Sequence, residues 1–223
     1  MFYLIVGTFL SVGASTLEGQ PTRRKPIDPF NRIIPDIELN QQTMFEGLAK
    51  VYESTGIVAS VERTLGDTKA EEDQKFTARV RGGPVSTVLN EICALDQRYA
   101  WSRDGNMVNV YPWKVVGDQN YLFNRRIPIF NLNAASEADS AAIQAVDELP
   151  GQRSQLIVLG TGGTRFTKPW TVSLKGLTLR QALNRISEHL CPSCGWQLLR
   201  GLRSEPTIMF FHKLQSDNQA EQN

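Results

Sequence analysis

The sequence predicts an α+β protein: a tandem repeat of two small β-α-β-β-α-β-β domains, with mixed sheets packed on two helices each. Two observations support this prediction. Segments 76–92 and 170–186 align without a gap, and each has the pattern of a strand leading into a helix. The strand and helix patterns around these segments also follow one order in both halves of the chain. An internal repeat of this kind indicates two similar units.

The two aligned segments have identical residues at apolar, glycine and polar positions. The identical pairs are Thr77/Thr171, Gly82/Gly176, Leu89/Leu183, Asn90/Asn184 and Ile92/Ile186. We therefore expect one domain at 33–114 and a second at 127–214, joined by a linker at 115–126. Either length is enough for a modest hydrophobic core.

Composition and chain ends narrow the class of protein. The chain is 41% hydrophobic and 21% charged with a net charge of +1, which is typical of a globular protein and argues against a nucleic-acid partner. Residues 1–16 resemble a signal peptide with a short apolar run, although a buried strand is an alternative. A Pro-rich basic linker is expected at residues 17–32, and a polar tail at 215–223. We expect a periplasmic or secreted protein with no stable membrane span in the mature chain.

In the first half, alternation at Ile37 and Leu39 predicts a strand. Thr43 and Glu46 have capping-box spacing, and the helix that they open should end at Gly56. Further strands are predicted at 57–61 and 76–80, on either side of a charged loop.

Pro84 is expected at the first position of the next helix, whose buried stripe is Val85, Val88, Leu89 and Ile92. A hairpin follows, with Asp104-Gly105 at its tip.

The second half follows the same order. A strand is predicted around Ile127 and Ile129, and Ser136 is expected to cap the next helix. Strands follow at 156–159 and 171–174, with a turn at 160–163, and the last strands are predicted at 196–199 and 207–211. The inner face of the first helix is predicted to be Ala138, Ala141, Ala142, Ala145, Val146 and Leu149. Thr178 and Gln181 again have capping-box spacing and should open a helix with the stripe Leu179, Ala182, Leu183, Ile186 and Leu190.

This order resembles the STN domain, the short N-terminal domain of secretins and TonB-dependent transducers. The resemblance rests on 36–39, Gly56, 80–82, 85–92 and the aromatic hairpin 99–110, and it extends less closely over 127–211. It implies a periplasmic protein-interaction module without catalytic residues. The departure from the family pattern is that we expect neither a secretin barrel nor a TonB-dependent barrel after the two units.

Cys191 and Cys194 form the sharpest local motif. Because the pair follows a helix instead of opening one, the helix dipole does not stabilise a thiolate there, and we expect a local disulfide. A redox role remains an alternative, as does a zinc site completed by His189 and His212. Cys93 is expected in the core.

We expect no catalytic, cofactor-binding or metal-binding residues. The glycine-rich run 160–163 precedes a strand-like segment, so it is expected to be a turn and not a phosphate cradle. The acidic run 71–73 is expected to be a solvated loop.

The function predicted from these features is non-enzymatic binding of an envelope protein, such as a component of a secretin or TonB system, or of a second copy of the chain. Edge strands can accept a partner strand, and the closing hairpins are the expected edges. The candidate contact residues are Met107, Val108, Val110, Tyr111, Trp113, Thr207, Met209 and Phe211. A small-molecule or glycan binder, or an enzyme, working at the cleft between the repeats is the alternative.

Overall fold

The computed structural model describes residues 28–63, 74–150, 157–159, 164–199 and 207–212, with backbone alone for 157–159. Over these residues the protein is a mixed α+β fold with four α-helices and several sheets. No helix in this part of the chain is long and apolar enough to cross a membrane. Residues 1–27, 71–73, 160–163 and 213–223 lie outside the described residues, and with them the expected signal peptide, acidic loop, glycine turn and tail.

The described residues of the first half form seven strands and two α-helices. They are β1 (Ile33–Ile34), β2 (Ile37–Thr43), α1 (Met44–Thr55), β3 (Ala59–Glu62), β4 (Lys75–Val80), β5 (Gly83–Pro84), α2 (Val85–Leu95), β6 (Tyr99–Asp104) and β7 (Met107–Pro112). The second half contains β8 (Arg126–Glu137), α3 (Ala138–Asp147), β9 (Ile157–Leu159), β10 (Arg165–Thr178), α4 (Leu179–Leu190), β11 (Cys194–Leu199) and β12 (Thr207–His212). Short 3-10 turns at Trp113–Val115 and Leu122–Asn124 connect the halves.

The expected capping boxes are confirmed. The Thr43 hydroxyl accepts from the Glu46 amide at 3.2 Å, and the Glu46 carboxylate accepts from the Thr43 amide at 2.6 Å. Thr178 and Gln181 open α4 in the same way. Gly56 ends α1 in the left-handed region, at φ 75°.

Two expected helix starts are wrong. Ser136 does not cap α3, because β8 stays paired with β10 as far as Glu137, and the Ala138 amide donates to the Thr164 carbonyl. Pro84 lies one residue before α2, where it pairs with Ile33 in a two-residue ladder. The predicted inner face of α3 is buried throughout.

Each half carries a two-stranded antiparallel ribbon with an irregular position. In β2–β4 the irregularity centres on Gln41, at φ 50°, whose amide donates to the Thr77 hydroxyl at 3.2 Å. In β8–β10 it centres on Ala134, at φ 52°, whose amide donates to the Thr171 hydroxyl at 3.0 Å. A bulge of this kind bends and twists its strand. Equivalent threonines of the aligned segments hold both positions.

The remaining long strands form one six-stranded sheet in the order β6-β7-β3-β11-β12-β9. The expectation of a separate mixed sheet in each half is therefore wrong. The cause is the edge of β3: a strand edge presents unpaired N–H and C=O groups, and here β11 of the other half takes them up. Helices α1 and α2 contact the first ribbon and the sheet, and α3 and α4 lie against the second ribbon, with α4 also on β11.

The buried apolar side chains of the described residues form two clusters. One draws its buried members from residues 30–110, and the other from residues 123–210. Residues 115–126, expected as a linker, contribute Phe123, which is buried and stacks on Trp196 with ring centroids 5.5 Å apart. The halves thus keep their own cores while they share a sheet.

Candidate interaction surface

The strands expected at the sheet edges lie in its interior. β7 is flanked by β6 and β3, and β12 by β11 and β9. The edge position expected for the closing hairpins is therefore wrong, because a parallel strand from earlier in each half covers the outer side of each hairpin. Met107, Val108 and Val110 are buried, and Tyr111, Thr207, Met209 and Phe211 are half-buried. Of the candidate contact residues, Trp113 is the exposed one, at 63%.

Among the described strands, the sheet ends at β6 on one side and at β9 on the other. In the first half, the predicted hairpin does lie at an edge of the sheet, but its edge strand is β6 and not β7. Trp101 lies on β6 and Trp113 follows β7, so both aromatic side chains lie near this end of the sheet.

The two halves of the molecule are joined by strand pairing at such an edge, between β3 and β11. β3 and β11 pair in parallel, with Val61 opposite Gln197, and the Arg63 amide donates to the Leu198 carbonyl at 3.0 Å. The Ser60 hydroxyl accepts from the Trp196 amide at 3.4 Å. Strand addition of this kind is a general mode of protein recognition.

A buried ion pair accompanies this strand pairing. Nε of Arg180, at the start of α4, donates to the Glu62 carboxylate at 2.5 Å, and Glu62 is only 1% exposed. The guanidinium also donates to the Asn124 side chain at 2.7 Å and lies 4.2 Å from the centre of the Tyr111 ring. The charge is thus held by an opposite charge, an amide and an aromatic face, as a buried arginine requires.

A second polar contact joins the β6–β7 hairpin to α4. Asp104 accepts from Nδ2 of Asn184 at 2.8 Å and from the Arg185 guanidinium at 3.0 Å. Arg185 also donates to Glu188 at 2.8 Å. Burial lowers the pKa of the Arg185 guanidinium, but the bond to Glu188 and the charge of Asp104 together raise it above its ordinary value. The hairpin tip predicted at Asp104-Gly105 is confirmed, and its aspartate is a junction residue.

Two equivalent tryptophan–asparagine pairs differ in exposure. Nε1 of Trp196 donates to Oδ1 of Asn184 at 2.8 Å, and both residues are 0% exposed. Nε1 of Trp101 donates to Oδ1 of Asn90 at the same distance, yet this bond lies at the surface. Asn90 and Asn184 occupy the same position in the alignment of the two segments. This identity could have drawn attention to both asparagines, but it does not indicate that each of them bonds to a tryptophan.

An open groove of about 580 Å³ adjoins the exposed pair. Its lining includes Asn90, Cys93, Gln97, Tyr99, Trp101 and Trp113. Burial raises the pKa of the Cys93 thiol to about 12, as expected of a core cysteine rather than a reactive one. The residues that line this groove include three aromatic side chains and no charged one, a composition typical of the central part of protein interfaces.

A second concavity, of about 530 Å³, lies at the junction of the two halves. Arg125, Arg126, Arg180 and Asp118 contribute to its walls, together with Tyr111 and Thr178. Arg125 donates to the Pro150 carbonyl, and Arg126 to the Gly176 carbonyl at 3.4 Å. The cleft expected between the repeats thus has polar walls.

Cys191 and Cys194 form a disulfide, with their Cα atoms 5.1 Å apart. Cys191 follows α4, and Cys194 begins β11, so the bridge closes the turn between these elements. His212 lies near this turn and contacts the Ser193 hydroxyl at 3.0 Å, whereas His189 stacks on Trp170 at 4.6 Å. Within the described residues, no group of three or more His, Cys, Asp or Glu side chains could hold a metal ion.

Comparisons with known proteins find no matching family model, no matching curated protein and no matching solved structure.

Proposed function

We propose that this chain is a non-enzymatic protein-interaction module of the periplasm or of the secreted fraction, made of two STN-like units. The partner is an envelope protein that adds an extended segment to the sheet at β6. The observation that carries the proposal is the unequal burial of the two tryptophan–asparagine pairs. In the buried pair, Trp196 stacks on Phe123 and Asn184 donates to Asp104 of the first half, whereas the equivalent bond between Trp101 and Asn90 lies at the surface.

The shared design of the halves supports two copies of one unit. Both have a bulged ribbon held by an equivalent threonine, a tryptophan bonded to an equivalent asparagine, and a hairpin next to a parallel third strand. Such agreement at polar positions is more specific than a shared apolar pattern, because each needs a particular side chain at a particular place.

The groove beside β6 supports partner binding at this end. Trp113 is 63% exposed, and aromatic side chains that become covered in pockets contribute much of the binding energy of interfaces. A strand laid along β6 would satisfy the outward-facing backbone groups of that strand, as β3 does beside β11.

A photo-crosslinking residue at position 113 tests this proposal in envelope extracts. A matched control carries the same residue at Ile143, which is exposed on α3 in the other half. We expect a discrete adduct at 113 that is absent at 143, together with slower amide exchange in β6 when the purified partner binds. The absence of an adduct at 113, or identical adducts at both positions, would contradict the proposal.

A second candidate function is binding of a small anionic ligand in the junction cleft, where Arg125 and Arg126 line the wall. Titration calorimetry with phosphate, citrate and an acidic sugar tests it. Binding that Arg126→Gln abolishes would support this function, and no heat with any of the three at millimolar concentration would dismiss it for these ligands.

A further inference from the structure

We propose that the partner at β6 is the β9 edge of a second copy of this chain, so that the sheet continues head to tail from one molecule to the next. This inference rests on the proposed function and names its partner.

The internal junction supplies the pattern. Within the sheet, the strand order β6-β7-β3 of the first half matches the order β11-β12-β9 of the second, both in sequence of connection and in parallel or antiparallel pairing. β3 therefore corresponds to β9, and β11 corresponds to β6. The molecule already joins β3 to β11, in parallel. A second copy would repeat this contact by joining its β9 to β6.

This contact joins two different edges, so it is heterologous and does not close after one step. Heterologous contacts generate a ring if the rotation closes and an open filament if it does not. The proposal therefore predicts assemblies that grow beyond a dimer, and not a two-fold dimer in which β6 pairs with β6.

The strength of the contact between molecules can be inferred by comparing its polar residues with those of the internal junction between β3 and β11. Arg180 and Arg185 form its ion pairs with Glu62 and Asp104. Their counterparts in the aligned segment of the first half are Ser86 and Glu91, which cannot repeat these pairs. The contact between molecules thus retains the strand pairing but loses the ion pairs, and it should be weaker and reversible.

Sedimentation analysis of the full chain between micromolar and near-millimolar concentration tests the proposal. We expect the mean mass to rise with concentration beyond that of a dimer. Trp113→Glu should weaken this association at least tenfold, whereas Ile143→Glu, at an exposed position away from β6, should leave it unchanged. A monomer throughout the range, a mass that stops at the dimer, or equal effects of the two variants would overturn the proposal.

A mixing experiment tests the head-to-tail order. Val158→Pro and Leu159→Pro each remove an N–H from β9, and the variant whose circular dichroism matches the unaltered protein is used. Neither this variant nor Trp113→Glu should assemble alone, but together they should form a heterodimer that grows no further. Failure to form it, or assembly of the β9 variant alone, would overturn the order. If both β9 variants unfold, a synthetic peptide of residues 155–161 should inhibit assembly of the unaltered chain. A peptide that does not inhibit assembly would overturn the head-to-tail order.

The outcomes also separate this inference from the proposed function. If the chain stays monomeric while position 113 still crosslinks to another protein, the second copy is wrong as the partner and the β6 surface stands. If removal of residues 1–27 is required before assembly appears, the covering segment is the chain's own N-terminus, and the inference is overturned for the full chain.

Discussion

Nε of Arg180 donates to the Glu62 carboxylate at 2.5 Å, and this buried pair links the end of β3 to the start of α4 across the junction of the two halves. It lies beside the pairing of β3 with β11. The junction therefore combines a directional strand pairing with a charge contact that positions it.

Replacing Glu62 with Gln should destabilise the whole chain. The substitution leaves the Arg180 charge buried without its counter-ion, which costs about 3–5 kcal/mol in comparable sites. The matched control is Glu137→Gln, at the exposed pair with Arg165, where the loss should stay below about 1 kcal/mol. Urea unfolding measures both, and equal effects would contradict a structural role for the junction pair.

A methyl group at Gly195 should disturb the same junction. A Cβ built there would lie 2.8 Å from the Val58 side chain and 2.7 Å from the Phe211 ring, closer than atoms pack. We expect Gly195→Ala to cost about 1–3 kcal/mol, as overpacking does. Gly83→Ala, where a Cβ meets nothing within 4 Å, is the control and should be nearly neutral. Val58→Ala should recover part of the loss, and a Gly195→Ala variant of unchanged stability would contradict the close approach.

The two asparagines should respond unequally to alanine substitution. Asn184→Ala leaves Nε1 of the buried Trp196 without an acceptor, and an unsatisfied buried donor costs about 1–3 kcal/mol. Asn90→Ala should cost less than about 1 kcal/mol, because water can reach Nε1 of Trp101. Unfolding at low protein concentration, which limits association between chains, makes the comparison. Equal losses would show that the pairs do not differ in exposure.

The three cysteines should behave as one buried thiol and one disulfide. Because burial raises the pKa of Cys93 to about 12, the native protein should react slowly with a thiol reagent at pH 8. One thiol per chain should appear in denaturant without reductant, and three with it. Rapid reaction of a native thiol would contradict this arrangement.

Acid should weaken the first ribbon through Asp36. The Gly82 amide at 2.7 Å, and then the Arg79 guanidinium, lower the pKa of this carboxyl below its ordinary value of 3.8. A lowered folded-state pKa contributes stability that is present above pH 3.8 and is lost as the pH falls through the folded value. The free energy of unfolding, measured from pH 6 to pH 2, should therefore decrease less steeply for Asp36→Asn than for the unaltered chain. Identical slopes would contradict a stabilising charge at Asp36.

Much of the local structure could be predicted from sequence, because it depends on neighbouring residues. The capping boxes at Thr43 and Thr178, the helix end at Gly56 and the hairpin tip at Asp104 each need only local hydrogen bonds or a local backbone conformation. The disulfide of Cys191 and Cys194 also follows from spacing and position.

The larger arrangement could not be predicted in the same way. Which strand lies at an edge depends on pairing between distant segments, so β7 and β12 carried the correct strand pattern but the wrong position. The junction residues Glu62 and Arg180 lie far apart in sequence, and neither belongs to a motif. Ser136 failed as a cap because ribbon pairing extended through it.

Amide hydrogen exchange in β3 and β11 measures whether one continuous sheet runs through both halves of the molecule. We expect the amides of Arg63 and of the strand residues around Val61 and Gln197 to be protected to the same degree and to lose protection together as denaturant is added. Fast exchange along β3 while β7 stays protected, as at a free sheet edge, would contradict a continuous sheet.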